Sequence, residues 1–261
     1  MSTKKHVIPR FIGVHSYPDA DSYEQLFFGR EEEIEKIMRS VYSGGSAIIY
    51  GASGVGKTSL VNSGLLPKIR KEGELWPVRV SLRELSHNNE SLLSRIKWSI
   101  TQGKHSELVD IKFPEDPKYL KSLPKWINEI TVRRKKDDTL LPIAFIFDQF
   151  ESVFDLPPEA SNNEKNILES NAKIGPQLLT VDSVLKELNI LSDPSIDNEL
   201  YKEDFIYKDT STPCILFSIV ESELGRLAPI TTVNSAFRNN QYRIKGLSTE
   251  NAKSVITKLS N

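Results

Sequence analysis

The run Gly51-Ala52-Ser53-Gly54-Val55-Gly56-Lys57-Thr58 spells G-x-x-x-x-G-K-[ST], and the residue types at that spacing define a chemistry. Glycines let the backbone curl until successive N–H groups converge on phosphate oxygens, and a helix starting behind the loop adds its positive end. In such a loop the Lys57 ammonium reaches the β and γ phosphates, and the Thr58 hydroxyl is a ligand of the Mg²⁺ that bridges them. The context agrees, because the strand-like Ala47-Ile48-Ile49-Tyr50 leads in and an uninterrupted helical run, Ser59 to Leu66, leads out. Gly51, Ser53, Gly54, Val55, Gly56, Lys57, Thr58 and Ser59 are therefore candidate contacts to a nucleoside triphosphate.

A phosphate loop needs a second acid for the magnesium shell, at the end of a buried apolar strand. Asp148 fits, following Ile143-Ala144-Phe145-Ile146-Phe147. Thr58 and Asp148 are the candidate metal residues. Hydrolysis also needs a group that orients the attacking water. Position 149 is Gln, so Glu151 is the better candidate, and Lys57, Asp148 and Glu151 form the catalytic set. The competing assignments are plain structural ones, a strand end for Asp148 and a helix cap for Glu151.

Other chemistries are excluded. Val55 stands where a G-x-S-x-G nucleophile elbow requires its last glycine. His6, His15, His87 and His105 match no zinc spacing, and no Asn-Lys-x-Asp element is present to read guanine, so the expected ligands are ATP or ADP with Mg²⁺. Charge is balanced, 34 Lys plus Arg against 35 Asp plus Glu, which argues against nucleic acid as a partner. Cys214 is the single cysteine and lies in an apolar run, so an internal disulfide is impossible. The N-terminal Met1-Ser2-Thr3-Lys4-Lys5-His6 lacks a signal-peptide core and no apolar run is long enough to span a bilayer, which predicts a cytoplasmic protein without membrane contact.

The elements that must position these groups follow from periodicity. Ile34, Ile37, Met38 and Val41 share one face of a helix whose first turn carries Glu31, Glu32 and Glu33. Ser43-Gly44-Gly45-Ser46 ends it. Val78 to Leu82 reads as a strand after a basic linker that follows Pro67; Leu92 to Ile100 and Leu123 to Ile130 read as helices, with a loop over 103–121. Arg133-Arg134-Lys135-Lys136-Asp137-Asp138 reads as a solvated helix end. Leu178 to Leu188 is helical, Cys214 to Val220 a buried strand, Gln241 to Lys245 a further strand, and Ala252, Val255, Ile256 and Leu259 one face of a last helix. Alternating strands and helices predict an α/β fold with a mainly parallel, doubly wound sheet flanked by helices. Residues 1–26 form a lead-in and 27–261 the nucleotide-binding domain, with an exposed insertion within 156–212 that is rich in polar residues over 156–176.

Four separated motifs occur in a family's order: Phe27-Phe28-Gly29-Arg30-Glu31, Gly51 to Ser59, Ser63-Gly64-Leu65-Leu66-Pro67 and Phe147-Asp148-Gln149-Phe150-Glu151. Together they resemble the bacterial STAND NTPases of the novel-STAND subgroup, which are similar to NACHT and related to AAA+ proteins. The resemblance covers residues 11 to 259. It implies a P-loop NTPase that works as a slow, ATP-driven switch in signal transduction, with bacterial antiphage defence or programmed death as its setting. It also implies self-association, or effector and sensor modules outside this chain. Phe28, Gly29 and Arg30 match the element that lies against adenine and ribose, while Arg30 is equally placed to pair with a neighbouring glutamate. The chain departs from the family's pattern after the Cys214 strand, where Val220 takes the place of a nucleotide-sensing arginine and Ser222 that of an aspartate. Arg226, Arg238 and Arg243 are the nearby substitutes, and each also reads as a surface residue.

Overall fold

The computed structural model describes residues 16–19, 21–43, 45–83, 92–102, 106–114, 123–156, 180–193 and 212–260. Its strands are β1 (Ala47–Gly51), β2 (Trp76–Ser81), β3 (Val109–Lys112), β4 (Thr131–Arg134), β5 (Ile143–Asp148), β6 (Cys214–Val220) and β7 (Gln241–Arg243). Five of them form a parallel sheet in the order β2-β5-β6-β1-β7, and β3 pairs antiparallel with β4. Every residue of β5 is buried, as expected of a parallel strand covered by helices on both faces.

Alternation divides the core into two layers. On one face Phe145 and Phe147 join Phe150, Phe217 and Phe237; on the other Ala144 and Ile146 join Ile37, Ile49, Leu60, Leu65 and Leu216. Phe217 sits between Phe150 and Phe237, with ring centroids 4.2 and 4.8 Å away. Such aromatic pairs add ~0.5–1.5 kcal/mol each beyond the burial of their area. Cys214 packs in the second layer, and burial pushes its thiol up to about 12.

The helices are α1 (Asp21–Glu24), α2 (Glu31–Tyr42), α3 (Lys57–Ser59), α4 (Leu66–Glu72), α5 (Leu92–Thr101), α6 (Leu123–Asn128), α7 (Val181–Ser192), α8 (Ala228–Thr231), α9 (Ser235–Asn239) and α10 (Thr249–Ser260). As expected, α2 buries Ile37, Met38 and Val41 and carries its three glutamates in the first turn. A wider π-helical turn, Leu60–Leu65, joins α3 to α4 without a break. The continuing helix corrects the reading of the residues after Pro67 as a linker. Pro67 lies in the first turn of α4, where a missing N–H is tolerated, and the helix continues to Glu72.

Two further readings are corrected. Residues 109–112, taken as loop, form β3, and the charged block starting at Arg133 is not a helix end. Arg133 and Arg134 belong to β4, and Lys135 to Asp137 form the turn after it. Val109 and Val132 are the buried side of this hairpin, and the flanking charges are its solvated side. In α10, Leu259 is buried but Ile256 is exposed, so the last helix buries less of its apolar face than its spacing predicts. The helix expected over 178–188, α7, begins at Val181, behind a capping box of Thr180 and Ser183, and runs on to Ser192. The polar stretch read as insertion lies outside the described residues over 157–176, whereas the described part of 156–212 includes α7, which buries Val184, Leu185 and Leu188.

The strand order has one consequence for chemistry. Because β6 lies between β1 and β5, Gly51 pairs with Val220 and Asp148 with Ser218, and the carboxyl ends of all three strands open at one edge. That edge is where open α/β sheets bind ligands.

Candidate functional site

A cleft of about 560 Å³ opens at this edge. Its lining includes Ser53 to Ser59 from the loop and helix start, Asp148 and Glu151 beyond β5, Ser218 of β6, and Phe28 and Arg30 before α2. The sequence-derived phosphate, metal and catalytic candidates thus converge on one space, although they come from separate parts of the chain.

The loop's shape depends on its glycines. A Cβ on Gly51 would collide with the carbonyl oxygen of Ile244, so β1 and the segment after β7 approach only with glycine there. Gly56 has φ of 100°, and a Cβ there would meet nothing within 4 Å. The loop therefore encloses open space lined by backbone. Lys57 leans back over it, donating from Nζ to the carbonyls of Gly51 and Ala52 at 3.0 and 3.1 Å. Burial holds the Lys57 ammonium below its ordinary pKa, against the opposing pull of Glu151, Asp148 and Glu221.

Thr58 Oγ1 donates to Asp148 Oδ1 at 3.2 Å, which brings the two metal candidates into contact. Asp148 is fully buried, and its other oxygen, Oδ2, accepts from Arg79 Nη2 of β2 at 2.6 Å. Across the sheet register from Asp148, the buried Ser218 hydroxyl has no hydrogen-bond partner among the described residues. A hydroxyl, a carboxylate and an orphaned buried hydroxyl form a hard oxygen donor set suited to magnesium and its water shell. Glu151 Oε2 accepts from the Val220 N–H at 3.2 Å. Glu151 thus lies beside the magnesium residues, in the short 3₁₀ turn Phe150–Asp155.

At the Phe28–Arg30 end of the cleft, Arg30 is buried and does more than pair with a glutamate. It donates to Glu33 at 2.9 Å, to the Val55 carbonyl at 3.2 Å and to the Lys245 carbonyl at 2.6 Å, tying the loop to the segment after β7. Gly29 turns the chain beneath Val255 and Leu247. Phe28 lines the cleft, and Lys258 of α10 lies over its ring at 5.0 Å.

Three contributors carry no local signal of function in the sequence. Tyr17 lines the cleft; its N–H donates to Ser59 Oγ and its carbonyl accepts from Asn62. Ser218 and Arg79 sit within apolar strands, where an isolated polar residue was the available signal. The arginines near Val220 are all at the surface or engaged: Arg226 holds Glu223 and packs on Phe154, Arg243 pairs with Glu221 at 2.8 Å, and Arg238 is exposed.

The parallel sheet, the glycine loop on β1 and the acid on β5 define a P-loop NTPase fold. Residues 11–259 match the family Novel STAND NTPase 1, and this chain belongs to that family. Among solved structures it is similar to the ADP form of the ORC2 protein of Aeropyrum pernix, at 13% identity and a TM-score of 0.39. That likeness covers 98% of this chain and 55% of the ORC2 chain, so this chain spans little more than half of its length. No curated protein matches. Among the described residues no helix is long and apolar enough to cross a membrane.

Proposed function

We propose that this chain binds ATP with Mg²⁺ and hydrolyses it slowly, as a switch that controls assembly in signal transduction. The observation that carries this reading is the convergence of Lys57, Thr58 and Asp148 on one cleft lined by an open glycine loop. Lys57 holds the β and γ phosphates, and loop N–H groups bind the remaining oxygens. Thr58 and Asp148 hold the metal, which when bound neutralises phosphate charge. Glu151 orients the attacking water, with one oxygen fixed by the Val220 N–H. Phe28, Gly29 and Arg30 shape the base side, and adenine is preferred because no guanine-reading element is present. Self-association, or effector and sensor modules outside these residues, completes the switch, and the family resemblance makes bacterial antiphage defence its setting. Single-turnover release of γ-phosphate tests this: Glu151→Gln lowers the rate ~10²-fold or more while ATP affinity stays within about threefold.

A second reading is a nucleotide-gated scaffold with negligible turnover. The engaged or exposed state of Arg226, Arg238 and Arg243 favours it, because no arginine visibly replaces the one absent at Val220. Tight ATP binding with no phosphate release in wild type selects the scaffold.

A further inference from the structure

The acid at the centre of the cleft is already neutralised by the protein itself. Asp148 is 0% exposed, and Arg79 reaches it from the neighbouring strand, Nη2 to Oδ2, at 2.6 Å. The two carboxylate oxygens therefore have different partners, Arg79 on Oδ2 and the Thr58 hydroxyl on Oδ1. Arg79 is flanked along β2 by the fully buried Val78 and Val80, its own side chain is 26% exposed, and among the described residues its Nε has no hydrogen-bond partner. The guanidinium therefore brings a fixed positive charge, from a partly exposed position, to a carboxylate that is itself wholly buried.

The other acids around Lys57 are compensated in other ways. Glu151 accepts the Val220 N–H, and Glu221 pairs with Arg243. Of the three, Asp148 is the one wholly removed from water, so it has the greatest need of a fixed cation and the strongest unscreened field if that cation is lost.

We infer that Arg79 is a positioning residue and built-in countercharge: it fixes Asp148 so that Oδ1 faces Thr58 and the metal side, and it lets a nucleoside diphosphate bind when no divalent cation is present. This rests on the nucleotide reading above. A switch of this kind keeps its product through loss of the metal, and the ADP-bound state then persists independently of Mg²⁺ supply.

ADP binding is measured by calorimetry on the full chain, in Mg²⁺ and in EDTA. Wild type binds in both, with affinities within about tenfold of each other. Arg79→Gln weakens binding in EDTA by about tenfold or more beyond that and changes binding in Mg²⁺ little, a coupling of the size usual between linked sites. Arg79→Lys restores most of the EDTA affinity. In an Asp148→Asn background, where no charge needs compensation, Arg79→Gln leaves the ratio of the two affinities unchanged; this neutral pair also keeps the comparison accessible if Arg79→Gln alone fails to fold. An unchanged ratio in Arg79→Gln, or the same widening in the Asp148→Asn background, overturns the inference. So does a wild type that binds ADP in Mg²⁺ and not in EDTA, a result that needs no variant and leaves the nucleotide reading intact. Absence of binding in both conditions contradicts the nucleotide reading itself.

Discussion

The loop end of the cleft, proposed to take the phosphates, and the Phe28–Arg30 end, proposed to take the base, are built by different means. At the phosphate end the groups are tied by short polar contacts: Lys57 to two loop carbonyls, Thr58 to Asp148, Asp148 to Arg79 and Glu151 to a backbone N–H. The base end is assembled from distant segments through apolar and ring contacts. Tyr17 meets Tyr23 and Phe27 edge-on at 5.7 and 5.8 Å, Lys258 covers Phe28, and Leu247 remains 38% exposed. Arg30 is the staple between them, with Val55 on one side and Lys245 on the other. The difference teaches where precision is needed. Directional bonds hold the groups proposed to meet phosphate and metal, while largely non-directional contacts join the segments at the proposed base end.

Breaking the phosphate end should have the largest effect. Thr58→Val removes the hydroxyl that meets Asp148, and Mg·ATP affinity falls by about 10- to 100-fold in a magnesium titration, whereas binding in EDTA changes little. Cutting the staple comes next. Arg30→Ala leaves the Val55 and Lys245 carbonyls without their donor and costs ~2 kcal/mol, which lowers the melting temperature by roughly 4–8 °C in a chain of this size. Nucleotide recovers part of that loss by mass action.

A pH titration sharpens the same contrast. Burial lowers the Lys57 pKa in the free protein, and a bound triphosphate raises it again by placing anions beside the ammonium. Binding on the alkaline side is therefore coupled to proton uptake, and affinity falls as pH rises through the lowered value. Calorimetry in buffers of different ionisation enthalpy reads that uptake directly. The smallest effect belongs to the base end. Tyr17→Ala weakens ATP by a few-fold, about 1 kcal/mol of ring contact, and leaves inorganic triphosphate unaffected because it has no base.

The phosphate loop and its strands were legible because their instructions are contiguous. Gly51 to Thr58 specify their own geometry, and β5 and β6 announce double-sided burial by unbroken apolar runs. The Arg30 staple, the Tyr17 contacts to Ser59 and Asn62 and the Arg79 countercharge were not legible in the same way. Arg30 meets Lys245 across 215 positions, Asp148 meets Arg79 across 69, and Tyr17 meets Ser59 across 42. No local pattern encodes such pairings. The β3–β4 hairpin was missed for another reason: its strands are four residues long, and the charges of Arg133 and Arg134 mask the alternation that buries Val132. Pro67 misled because its cost depends on its place in a helix, and the π-helical turn set that place.

The central claim is that this cleft binds ATP through Lys57. Calorimetric titration of ATP, ADP and GTP with Mg²⁺ into wild type and Lys57→Ala tests it most directly. Adenine-selective binding in wild type that weakens by up to about 100-fold in Lys57→Ala is the predicted result, the loss expected of charge-assisted contacts. Equal binding by both proteins, or no nucleotide binding by wild type, would contradict it.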